Sequence, residues 1–137
     1  MIQILSVFPS FLTYGLIAPL ILRLVLGGIF LSAGYLKIFK NRESTISMFK
    51  SANFPKPLFF MWLVAYTELI CGFFLILGLW TQVSALLIAI ISLGGLIIKL
   101  RKPSLLRQTT DFYIFALAIA ISLLFSGAGF FSIDLPL

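Results

Sequence analysis

Long apolar runs broken by two short basic stretches dominate this chain. Four runs approach or reach the roughly 20 residues with which a helix crosses about 30 Å of hydrocarbon: roughly 11–36, 58–79, 82–100 and 111–131. Pro19 cannot donate to the Gly15 carbonyl, so the first run either kinks there or begins nearer Ile17. Only Leu79, Trp80, Thr81 and Gln82 separate the second run from the third. So short a connection forces an antiparallel hairpin and makes those two helices neighbours. Between the first two runs, Asn41, Ser44 and Thr45 can start a short helix. Its Ile46, Met48 and Phe49 share one face while Arg42 and Lys50 stay in water, so it lies at the headgroup level. Pro55 and Pro57 end that piece and set the start of the second run. No linker, repeat or low-complexity tract divides residues 1–137, which read as a single all-α domain, an antiparallel four-helix transmembrane bundle.

Composition supports the membrane reading. With 61% hydrophobic residues, 10% charged and a mean hydropathy of +1.18, the chain lacks the polar surface of a soluble domain. The formal net charge of +6 does not point to nucleic acid, because the charges flank apolar spans and accompany no base-reading motif. Nine of the ten Lys and Arg residues fall in Lys37–Lys56 and Lys99–Arg107, and the tenth, Arg23, sits inside the first run. The positive-inside rule therefore places both basic loops in the cytoplasm, with both termini and the Trp80 turn on the extracytoplasmic side. Orientation and contact with anionic lipid account for these charges. Trp62, Trp80, Tyr35 and Tyr113 suit the interfacial aromatic belts. The first twenty residues hold no Lys, Arg or small-residue cleavage site, so the mature chain is expected to start near Met1.

Two ionisable groups lie deep in apolar runs, Arg23 and Glu68. Each costs about 2.5 to 3.5 kcal/mol at a bilayer centre on insertion scales, so both should find partners. With runs starting near 11 and 58, the two reach similar depth, and a buried Arg23–Glu68 pair is the simplest expectation. If Pro19 marks the start of the first helix, Arg23 sits higher and Asp134 becomes a rival partner. Tyr66, Tyr35 and Thr67 are further polar candidates near a small headgroup site. Asp111, beside the start of the fourth run, reads as a helix cap and dipole partner. Gly27, Gly28, Ser32 and Gly34, with Gly72, Ser92, Gly94, Gly95, Ala116 and Ala120, read as close-packing positions. No His is present, which excludes imidazole ligation of haem and most zinc or copper sites. The lone Cys71 cannot form an internal dithiol. No phosphate loop and no nucleophile with a base appears, so neither an intrinsic cofactor, a metal site nor a catalytic constellation is expected.

Arg23, the run Gly27, Gly28, Ile29, Phe30, then Gly34 and Lys37 resemble the first helix of the DoxX family. Phe54 and Pro55, Glu68 with Gly72, and Leu77, Gly78, Leu79, Trp80, Thr81 are similar to its second helix and G-L-x-T turn. Gly127 to Asp134 resembles its G-x-G-x-x-S-x-D close, apart from Ala128. The resemblance spans about Arg23 to Asp134 and implies a four-helix integral protein of the bacterial cytoplasmic (inner) membrane. It further implies a subunit of a membrane oxidoreductase assembly that takes electrons from a soluble redox partner protein. On that reading Arg23, Glu68, Asp134, Ser132 and Tyr66 shape a site for a small lipid-soluble ligand, a quinone. The family's thiosulfate chemistry does not transfer, since no residue here would perform it. The alternatives are a non-enzymatic membrane scaffold or chaperone and, less favoured, a small transporter with Glu68 as its proton site. The last is weakened by the absence of an internal repeat.

Overall fold

The computed structural model describes Gly15 and residues 17–106 and 108–127. Among them every regular element is helical: α1 (Ile17–Phe39), α2 (Arg42–Ser51), α3 (Pro57–Leu77), α4 (Thr81–Arg101), one 3-10 turn (Pro103–Leu105) and α5 (Thr110–Ser126). The first, third and fourth of these helices are long and apolar enough to cross a membrane, and α5 is a shorter apolar helix. Pro19 lies in the first turn of α1, where a missing N–H costs nothing. At its other end α1 runs to Phe39, three residues beyond the span expected from hydropathy, and so carries Lys37 inside the helix.

Small residues decide which helices touch. A Cβ on Gly27 would lie 2.8 Å from the Gly72 carbonyl oxygen, one on Gly34 2.7 Å from the Leu69 nitrogen, and one on Gly72 2.5 Å from the Leu31 nitrogen. Backbone therefore meets backbone along an antiparallel α1/α3 pair, where dispersion replaces the hydrophobic drive that lipid cannot supply. α4 and α5 form the second close pair, α3 packs on α4, and a sparser α1/α5 seam closes the ring. The α3/α4 turn has Gly78 in the left-handed region, φ 71°, with its N–H on the Leu75 carbonyl, and Trp80 follows at φ 48°. The central core joins Leu26, Phe30, Leu75, Ile88, Ala120 and Leu123.

A second apolar cluster closes the basic-loop end. Phe49 of α2 is buried with Ile38, Met61 and Ala65, and Ile46, Met48, Phe54 and Phe60 pack around them. Arg42 stays exposed, with its guanidinium 4.9 Å from the Trp62 ring centre and its Nε donating to the Ile38 carbonyl at 3.1 Å. The two basic stretches meet: Lys102 Nζ donates to the Ser51 carbonyl at 2.7 Å. At the opposite end, Gln82 Nε2 donates to the Leu124 carbonyl at 3.0 Å, so the start of α4 lies beside the end of α5. α5 starts differently from the expectation. Thr109 is its cap, accepting from the Phe112 N–H at 3.2 Å, while Asp111 is exposed within the first turn, where it still favours the helix dipole.

Outside faces of the helices carry Ile21, Leu63, Ile70, Val83, Ile90, Phe115 and Phe125, all exposed. Polar groups are scarce among them, so lipid is their solvent.

Candidate functional site

Glu68 is 3% exposed on the inward face of α3, and Lys37 holds it. Lys37 Nζ donates to Oε1 at 2.7 Å and to Oε2 at 2.8 Å, so both carboxylate oxygens share one ammonium. The expected Arg23–Glu68 pair is therefore corrected. The glycine contacts set Glu68 level with Ala33, leaving Arg23 about ten residues, or roughly 15 Å, further along α1. No arginine side chain spans that separation. Arg23 is itself 1% exposed and occupies the opposite end of the bundle from Lys37.

Other expected members separate as well. Tyr66 is 49% exposed on the outer surface of α3, stacked on Trp62 with ring centres 5.4 Å apart. It lies outside the interior cluster because two residues of helix rotate a side chain by about 200° from Glu68. Tyr35 also faces out, against Phe39 at 4.8 Å, and Thr67 returns its hydroxyl to the Leu63 carbonyl at 2.6 Å. Ser132 and Asp134 lie outside the described residues.

Further polar groups of the interior come from α4 and α5. The Tyr113 ring lies on Gly95, where a Cβ would fall 2.5 Å from Cε1. Ser92, one turn from Gly95 on the same face of α4, is fully buried, and its Oγ has no hydrogen-bond partner among the described residues. The Lys37–Glu68 pair is thus the one ion pair of the interior among the described residues. Sequence reasoning missed Lys37 because a span ending at residue 36 made it a loop charge. Its signal was present in the Gly34-x-x-Lys37 spacing, which sets the lysine one turn past a close-packing glycine.

Two open grooves flank α1. One, about 620 Å³, follows the sparse α1/α5 seam and is lined by Leu24, Val25, Gly28, Ser32, Gln108 and Phe112 among others. The second, about 540 Å³, lies on the other flank against Leu69, with Leu31 and Tyr35. Neither groove is lined by Arg23 or Glu68. Among the described residues no three His, Cys, Asp or Glu side chains come together to hold a metal ion.

Comparison with known proteins agrees with this architecture. The DoxX family profile matches residues 18–99, more than half of the chain. The protein belongs to the DoxX family. It is 33% identical over 119 residues to a Bacillus subtilis (strain 168) protein named "Putative oxidoreductase CatD", covering 86% of this chain and 85% of that one. No solved structure is significantly similar to it. Family and helices together make this an integral membrane protein.

Proposed function

We propose that this DoxX protein is the membrane-embedded subunit of an oxidoreductase assembly of the bacterial inner membrane, and that it binds a quinone in the α1/α5 groove. A soluble redox protein docked on the cytoplasmic basic loops supplies the electrons. The observation carrying the ligand assignment is the groove itself. Its volume of about 620 Å³ is of the size that holds small ligands, it opens through exposed Leu24, Val25 and Ile29, and Ser32 and Gln108 supply donors for carbonyl oxygens. A ligand that partitions into hydrocarbon can reach it from the bilayer. The name of the Bacillus relative favours a redox setting, and the lone buried Cys71 provides no dithiol for redox work of its own.

Gly28 offers the test. It lines the groove, and a Cβ added there meets nothing within 4 Å, so Gly28→Leu starts from an unobstructed position and puts its side chain into the groove. Quinone extracted from the purified variant should fall at least about tenfold below wild type, a loss of about 1.4 kcal/mol or more in binding, with thermal unfolding unchanged. Equal quinone content in wild type, Gly28→Leu and an unrelated four-helix membrane protein would mean simple partitioning, and the scaffold reading would then replace this one.

A further inference from the structure

The Lys37–Glu68 pair faces both ways. Glu68 is sealed in the bundle at 3% exposure, whereas the Lys37 side chain is 27% exposed in the last turn of α1, within three residues of wet Lys40. One ammonium therefore bridges the aqueous basic-loop end and a carboxylate the water cannot reach. We propose that Lys37 and Glu68 form a proton-exchange site, through which the basic-loop face loads a proton into the interior of the bundle.

The step balances within the pair. The N–H bond of Lys37 that points at Glu68 breaks as an O–H bond forms on the carboxylate, leaving a neutral amine hydrogen-bonded to a neutral carboxylic acid. The amine lone pair then takes a proton from water at the basic-loop end, leaving hydroxide in the aqueous phase, and the pair has gained one positive charge. The intermediate carries no charge in a setting where charge is expensive, so burial narrows its free-energy gap to the ion pair below what it is in water. Two hydrogen bonds of 2.7 and 2.8 Å already hold donor and acceptor at transfer distance.

Among the described residues, the other groups on the elements packed around Glu68 leave Lys37 as the source of the proton. On α5, Tyr113 has its ring fixed against Gly95. From α4 comes buried Ser92, which does not titrate, while Lys99 is turned to the Pro103 and Leu106 carbonyls at 2.8 and 3.0 Å. From α2, Arg42 lies over Trp62, and Glu43 and Lys50 are exposed. On α3 itself Tyr66 faces out, and on α1 Arg23 is about 15 Å away. This assignment does not depend on the identity of any ligand in the α1/α5 groove.

A simple staple would leave the same geometry, so the test uses the difference between lysine and arginine. Arginine keeps the ion pair but does not release its proton. Infrared spectroscopy of the full-length protein in lipid reads the protonated carboxyl stretch, and its loss in Glu68→Gln assigns the band. In wild type the band should come and go reversibly between about pH 5 and 9, and in Lys37→Arg its amplitude should be at least about tenfold lower at the same pH. Should Lys37→Arg fail to fold, Lys37→Gln takes its place: with no proton to pass on, its carboxyl band should no longer change with pH, and a wild-type-like titration in it would overturn the proposal. A wild-type band absent across that range, or the same titration in a folded Lys37→Arg protein, would overturn the proposal.

Discussion

At the residue scale, the cost of breaking the ion pair depends on which partner is left behind. Lys37→Ala strands a carboxylate that is 3% exposed, so a loss of about 3 to 5 kcal/mol is expected. Glu68→Ala leaves an ammonium already 27% exposed and able to turn to water, so its cost should be smaller. A double-mutant cycle by equilibrium unfolding in micelles should return a coupling of about 1 to 3 kcal/mol for Lys37 with Glu68. For Arg23 with Glu68 the same measurement should give additivity within about 0.5 kcal/mol, and strong coupling there would contradict the register set by the glycines. Sequence made both deep charges legible, since a lone ionisable group in an apolar run is expensive wherever it lies. Their partners were not legible, because depth depends on where a helix starts. Moving the start of α1 from 11 to Ile17 shifts every residue by about 9 Å relative to α3.

Helices meet through single faces, and here neighbours in sequence have opposite fates. Gly27 and Gly28 are adjacent, yet a methyl on the first would strike the Gly72 carbonyl while one on the second meets open space. Gly27→Ala, Gly34→Ala and Gly72→Ala should each push α1 from α3 and cost about 1 to 3 kcal/mol. Gly28→Ala and Gly94→Ala should be neutral or add up to about 1 kcal/mol, because alanine loses less backbone entropy in a helix. Thermal unfolding of the five variants checks the division, and a uniform response would refute close packing at the α1/α3 interface. Small-residue spacing announced that the helices approach closely but not which stripe faces which partner. Face assignment needs neighbours, as Tyr113 shows: only the structure reveals that its ring packs on Gly95 of α4. The short helix over the basic end was clearer, since Ile46, Met48 and Phe49 fall on one side and only a cover for the bundle's end buries that side.

For the whole molecule, hydropathy and charge spoke with one voice, which is why the helical bundle was readable before any contact was known. Long apolar runs must become helices in lipid to satisfy their own backbone, and the short Gly78–Trp80 turn leaves one arrangement for α3 and α4. That the two basic stretches share an end is fixed by the Lys102–Ser51 contact, and that the Trp80 turn lies at the other end follows from the length of α3 between them. What the bundle cannot supply is which end faces the cytoplasm, because no membrane asymmetry is encoded in helix packing. The proposed orientation rests on the charge excess at the Ser51 end, where Lys40, Arg42, Lys50, Lys56, Arg101 and Lys102 are all exposed. A cysteine at Ser51 should therefore resist a membrane-impermeant thiol reagent in intact cells and react only after permeabilisation. A cysteine at Gln82, exposed beside the opposite turn, should react without it. Native Cys71 is 3% exposed and should contribute little background in either sample. The reverse pattern would put the basic loops outside, and with them the water that feeds Lys37, so the soluble electron donor would have to be sought on the extracytoplasmic side.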